Sequence, residues 1–511
     1  MKKKILYVPL DERSCNYDFP QKLAAMTEDM ELLEPPIHLM GFKKTPADPD
    51  ALWQWVFEHA PRCQYAVISV DTMVYGNLIN SRIHHKTWEQ CRDLMENFRR
   101  LKAQNPKLKI HAFNLVARVA AYNSDAEDPD YWAQFGTQIW KYAYFRDKEE
   151  RGLLSEAEKD VLSMLKTSIP AGILTDFLDR RTVDRKVNLS CVDLVEEGVF
   201  DLLTVPKDDT AEFGYAAMDQ RALASHVYEK QLMDRVLVYP GADEVGSVLF
   251  ARVFNDIHHY TPRIYVRYSS TYGPFVIPLY EDRPLNESVK AQIHSLGGVM
   301  VSGADHSDCM LAVNSPGLHM TEASAQDSRD ITCSTHANLA EFFASQRHYY
   351  QTQHKPVGMA EVSVANGCDN ECMDMGRLTG AYSFLTAVGG WNTTANTVGV
   401  VLAQLVIASY YQGFQNMPEQ LERSRRFMTE HLVADWIYQS NVLPKYLEKT
   451  RDTVDPYALD DHMGEAVADF RREIQNMIGQ KFPNGLFGKP IRLENLEFQW
   501  NGVFYVRLSV A

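Results

Sequence analysis

Short apolar runs rich in β-branched residues recur along this chain, separated by longer stretches whose apolar positions repeat at helical spacing. That alternation is the pattern of strand–helix units around a parallel sheet. Strands are expected at Lys4–Val8, Tyr65–Val70, Leu108–Phe113, Asp201–Val205, Arg235–Tyr239, Arg263–Tyr268, Val299–Ser302, Met310–Val313, Val357–Val364 and Tyr382–Ala387. Helices are expected at Asp50–His59, Lys86–Gln104, Asp130–Tyr144, Glu156–Lys166, Asp219–Asp234, Leu285–Leu296 and Ala323–Gln353. The fold class is therefore α/β with a parallel sheet, TIM-barrel-like with an added small α/β subdomain and a helical C-terminal extension. Two doubly wound domains are the alternative, because the candidate strands outnumber the eight of a simple barrel.

The boundaries that follow are soft. Residues 1–262 form a barrel-like half, 263–318 a small α/β subdomain, 319–430 the remaining elements of the main domain, and 431–511 a mainly helical extension ending in the β-like run Val503–Val510. No internal repeat or low-complexity linker marks a division.

Composition narrows the partners. A formal net charge of −15 over 511 residues, with no basic run beyond Lys2-Lys3-Lys4, argues against nucleic acid, which needs a clustered cationic face. No stretch reaches the roughly 18 apolar residues of a membrane span, so a cytoplasmic protein with no membrane partner is expected. The eight cysteines are dispersed and without zinc spacing, which suits reduced structural thiols. Asp305, His306 and Asp308 are thin grounds for a metal, and neither metal nor cofactor is expected. No Gly-x-Gly-x-x-Gly, Walker or Gly-x-Ser-x-Gly motif is present.

In parallel α/β folds the loops after the strands build the site, and here they are strongly polar. Asp11 and Arg13 follow the first strand, Asp71 and Tyr75 the second, with Arg82 beyond, and Arg118 follows the third. Asp208-Asp209 and Asp243-Glu244 follow the fourth and fifth. Arg252 comes next, and Asn366, Asp369, Trp391, Asn392 and Asn396 complete the set. An acidic doublet can supply a general acid and a stabilising carboxylate for glycoside cleavage. Asp243 with Glu244, or Asp208 with Asp209, is accordingly the candidate catalytic pair, and the other residues are candidates for substrate binding. Converging arginines would suit an anionic sugar, unless they pair with the acids instead. Trp391 with Asn392 would suit a sugar platform, or mark a helix start capped by Thr393 or Thr394.

Two resemblances follow from these motifs. Leu237-Val238-Tyr239-Pro240-Gly241-Ala242-Asp243-Glu244 resembles the strand-plus-Asp-Glu motif of β-N-acetylhexosaminidases, and the run ending in Lys207-Asp208-Asp209 resembles the Asp-Asp motif of O-GlcNAc hydrolases. On a larger scale, Val8-Pro9-Leu10-Asp11-Glu12-Arg13 with Asn16, Ser69-Val70-Asp71 with Tyr75-Gly76 and Ser81-Arg82, Gly241-Ala242-Asp243-Glu244 with Ala251-Arg252, Ala365-Asn366-Gly367 with Asp369, Gly390-Trp391-Asn392-Thr393 with Asn396, and Trp500-Asn501 are similar to a bacterial domain-of-unknown-function family, number 4127. Ser14 departs from the proline expected there. That resemblance implies no activity. The residues themselves lead to the expectation of a hydrolase cleaving a small glycoside of an amino or anionic sugar. The alternatives are a non-catalytic sugar- or anion-binding protein and a metal-assisted hydrolase or isomerase.

Overall fold

The structure, a computed structural model, describes residues 2–511. The chain packs as two compact units. One comprises the residues up to Glu12, Asp29–Gly246 and Tyr280–Asp282; the other comprises Arg13–Glu28, Ser247–Leu279 and Arg283–Ala511.

The first unit is a six-stranded, wholly parallel sheet of β1 (Lys3–Val8), β2 (Met30–Leu33), β3 (Tyr65–Ser69), β4 (Lys109–Phe113), β5 (Leu202–Lys207) and β6 (Val236–Pro240), in the order β2-β1-β3-β4-β5-β6. Runs such as Tyr65–Ser69 and Leu202–Lys207 are buried at every position, as expected of strands covered on both faces.

The second unit holds β7 (Arg263–Tyr268), β8 (Val299–Val301) and β9 (Cys309–Asn314), a two-stranded ladder of β10 (Thr321–Glu322) with β12 (Val364–Ala365), β11 (Val357–Glu361), β13 (Ala387–Gly389), and a C-terminal hairpin of β14 (Leu493–Phe498) and β15 (Val506–Val510). Its main sheet is parallel in the order β13-β11-β9-β7-β8. The apolar helix Thr394–Tyr410 packs on it where glycine leaves room, since a Cβ on Gly358 would lie 3.1 Å from Val401 and one on Gly389 3.0 Å from it.

The parallel α/β class is as expected. The strands pair in two open series of six and five, which is the arrangement of the doubly wound alternative rather than of one closed barrel. Strands β7 to β9, expected as a separate subdomain, continue into the sheet of β11 and β13. Some local expectations also change. Tyr382–Ala387 is not a strand: Ala381–Ser383 is a single 3₁₀ turn entered through Gly380 at φ +69°, and Tyr382 is buried with its hydroxyl on the Met373 carbonyl at 2.7 Å. The helix expected over Ala323–Gln353 begins only at Leu339, capped by Asn338. Asp330 takes the Thr332 N–H at 3.0 Å and its hydroxyl at 2.7 Å, and such side-chain bonds compete with a continuous helix. The 26-residue helix Ala171–Glu196 and the helix Ser14–Ala25 were not foreseen. Among the described residues no single helix is long and apolar enough to cross a membrane.

Candidate functional site

In the first unit the loops after the strands converge on a buried ionic cluster, and local geometry explains how each member arrives. Ser69, at the end of β3, accepts the Thr72 N–H at 3.1 Å and caps the short helix Val70–Tyr75, which Gly76 ends at φ +113°, a conformation natural to glycine. Asn77 then caps the helix Leu78–Ile83 through the Asn80 N–H at 2.9 Å. That helix carries Arg82.

Arg82 reaches Asp208 at 2.6 Å and Glu127 at 3.2 Å. Arg118 reaches Asp128 at 2.7 Å, Asp209 at 3.1 Å and Glu127 at 3.3 Å. The guanidinium groups are thus spent on protein carboxylates, which outnumber them, so the cluster has no surplus positive charge with which to hold an anion. Asp209 adopts φ +35°, uncommon for a residue with a side chain. Burial, and then the neighbouring Asp208, pushes its carboxyl up to about 6. Lys207, with a fully buried side chain, pairs with Asp282 and donates to Gln220 at 2.8 Å.

Asp71 accepts from the Asn114 side chain and the Leu115 N–H, each at 3.0 Å. Burial still raises its carboxyl to about 7. Tyr75 stacks on His84 at 4.4 Å, and His84 bonds Asp184 at 2.9 Å. Asp11 is buried at the end of β1. At the end of β6, Glu244 folds back on its own loop and accepts the Ala242 N–H at 3.0 Å, in space that Gly241 leaves open at φ +148°. Asp243 beside it is buried.

The remaining candidates belong to the second unit and are dispersed. Arg13 lies over the rings of Trp500 (4.4 Å) and Tyr505 (4.7 Å), a cation–π arrangement rather than an open fork. Arg252 pairs with Asp256 at 3.0 Å and packs on Gly297, beside the amino end of β8, away from the strand ends where a site forms. Asn366 and Asn392, both at positive φ, join the loops beyond β12 and β13 through a backbone bond of 3.0 Å. Trp391 meets Tyr505 edge-on at 6.1 Å, while Asn396 is buried in the following helix. Thr393 occupies the cap position of that helix without a side-chain cap bond. Asp369 caps the helix Asn370–Leu378 through the Glu371 N–H at 2.9 Å and pairs with Arg329.

Several participants were missed. Glu127-Asp128 is an acidic doublet like the others, but it lies well past the end of β4. Glu361 ends β11 and accepts from Asn314 at 2.8 Å, Ser363 N at 3.1 Å and Asp369 N at 2.5 Å; burial, then Asp369, pushes it up to about 8. Its position as the last residue of an apolar strand was the available signal. Asp308, in the thin metal trio, is committed to Arg263 at 2.7 Å, and among the described residues no three His, Cys, Asp or Glu side chains are grouped to hold a metal. No disulfide joins any of the eight cysteines.

The family model described as "Protein of unknown function (DUF4127)" matches residues 5–509. No curated protein matches the chain. Among solved structures it is similar to the carboxyl transferase domain from Rhizobium etli pyruvate carboxylase with 3-bromopyruvate, at 9% identity and a TM-score of 0.21, over 95% of this chain and 58% of that one. A likeness at that score carries no argument about fold or chemistry.

Proposed function

The chain belongs to the DUF4127 family, a membership that leaves the reaction to be argued from the residues, and we propose that it is a hydrolase cleaving a small glycoside of an amino sugar, with Asp208 and Asp209 as its working pair. The observation that carries the reading is that these adjacent carboxyls lie together in one ionic cluster, each against its own arginine. Asp208 is bound by Arg82 at 2.6 Å and Asp209 by Arg118 at 3.1 Å, and burial with the neighbouring Asp208 still pushes Asp209 up to about 6. A carboxyl raised toward the working pH is the usual choice for the general acid, and its neighbour can serve as the stabiliser. Asp209 would give its proton to the glycosidic oxygen as the C–O bond breaks. The substrate's acetamido oxygen would close on the anomeric carbon while Asp208 holds the amide N–H. Water would then open that ring, with Asp209 taking its proton.

Asp243-Glu244 is the weaker pair because the Glu244 carboxylate is engaged by its own turn. An anionic sugar is the weaker substrate because Arg82 and Arg118 already face four carboxylates between them. The test is hydrolysis of chromogenic N-acetylglucosaminide, N-acetylgalactosaminide, uronide and phosphorylated glycosides by wild type, Asp209→Asn, Asp208→Asn and Asp243→Asn. Release from an acetamido sugar that Asp209→Asn cuts by about 10²- to 10⁴-fold is expected. Undiminished turnover in Asp209→Asn would remove the pair from the chemistry, and silence across the panel would favour a binding protein.

A further inference from the structure

The second unit contains a crevice of its own. Its strand order turns at β7: the chain leaves β7 outward to β8, then returns to β9 on the other side. In open α/β sheets the loops diverge at such a reversal and leave a cleft beyond the carboxyl ends of the strands. Here a cavity of about 760 Å³ occupies that place, a size suited to a small ligand.

Its lining is polar, and its charge selects the ligand class. Ser269 and Thr271 follow the end of β7, Asn314 ends β9 with Ser315 just past it, and Ser363 and Asp369 come from the segment beyond β11. The only arginine on the wall, Arg329, is shared between Asp369 and Glu371. The N-terminus of the helix Asn370–Leu378, which could otherwise attract an anion, is already capped by the Asp369 carboxylate at 2.9 Å. A phosphate or carboxylate ligand would therefore meet carboxylates with only the carboxylate-bound Arg329 and the imidazole of His336, which bonds the Thr335 hydroxyl at 2.9 Å, to offset them. Hydroxyl groups meet the opposite case, because carboxylates accept from them and Ser, Thr and Asn side chains both donate and accept. We infer that this cavity is a binding site for an uncharged polyhydroxylated molecule, a mono- or disaccharide. The site is independent of the chemistry proposed for Asp208 and Asp209.

The test is calorimetric titration of the full chain with glucose and cellobiose, beside inorganic phosphate and glucose 6-phosphate. The variants are Thr271→Val with Glu371→Gln, which keep side-chain shape at exposed positions, and Ser334→Trp, which fills the cavity wall from an exposed position. Unliganded melting temperatures confirm that the variants fold. Binding of one of the two sugars, weakened about tenfold or more by the double variant, the loss expected from removing a charge-assisted hydrogen bond, and abolished by Ser334→Trp, is the expected result. Three results would overturn the inference: no sugar binding up to about 20 mM, the weak end of small-molecule affinity; tighter binding of the phosphates than of the sugars; or sugar binding that both variants leave unchanged.

Discussion

The two sheets follow the same strand order where they turn, yet their crevices have opposite fates. In the first unit the reversal lies between β1 and β3, and the protein fills it. The Thr72 hydroxyl sits 2.6 Å from the Pro9 carbonyl and 2.9 Å from that of Leu10, Leu78 N bonds the Leu10 carbonyl at 3.2 Å, and Asp71 is tied to Asn114 and Leu115. In the second unit the corresponding reversal, between β7 and β9, is an open cavity of about 760 Å³. Topology creates the opening, and the residues after the strands decide whether it stays open. Where it is filled, the charged groups gather at the ends of β4 and β5 instead, in a dense ionic cluster.

The comparison is most severely tested at the arginines. Arg118→Met should destabilise the first unit by about 3–5 kcal/mol, because it takes the counter-charge from Asp128 and Asp209 and leaves Glu127 with Arg82 alone. Arg329→Gln at the cavity should cost less, about 1–3 kcal/mol, since it uncovers one buried carboxylate, Asp369, while its other partner, Glu371, is exposed and screened. Denaturant titrations of both variants measure the contrast; equal losses would mean that the two strand-end regions are built alike.

Activity provides the next test. If Asp209 is the proton donor, turnover should fall as pH rises through about 6, and Asp209→Asn should flatten that limb while it lowers the rate. A pH–rate profile unchanged in shape would assign the limb to another group.

Asp71 carries a different pH dependence. Burial holds its folded-state value at about 7, above the 3.8 of an ordinary aspartate. Its contribution is therefore fully present below about 4 and is lost as pH rises through about 7, on the order of 1 kcal/mol per pH unit within that window. Asp71→Asn should thus be the less stable protein near pH 4 and recover relative to wild type by pH 8. Thermal melts across that range would contradict this if the gap between the two proteins stayed constant.

The smallest effects separate the filled crevice from the open one most directly. Thr72→Val removes a buried hydroxyl whose one proton lies between the Pro9 and Leu10 carbonyls and should cost about 1–2 kcal/mol. Ser315→Ala removes a buried hydroxyl that has no hydrogen-bond partner and should change stability by less than about 0.5 kcal/mol.

Much of this was legible in the chain itself. Nine of the sequence-expected strands match observed ones because parallel strands of an α/β sheet, several of them buried at every position, are short apolar runs bounded by turn residues, a local signal. The rule that sites follow strand ends also pointed to Asp71, Arg82, Arg118, Asp208 and Asp209, since that rule needs only the position of each strand. Helix Ala171–Glu196 escaped because its charged residues interrupt the apolar period, and β2 because Met30–Leu33 is too short to stand out.

The sequence by itself determined the α/β class, the polarity of the strand ends and membership of the family, each of which is written in neighbouring residues or in motifs. Tertiary structure alone decided that the strands divide into two open sheets, because closure depends on which edges pair across long separations and not on any one strand. It also decided that Arg82 and Arg118 face carboxylates while Arg13 lies over aromatic rings and Arg252 beside a helix neighbour. Four arginines of the same type at similar distances past strands differ only in what the fold brings within about 4 Å of them, the range over which a charge finds its partner.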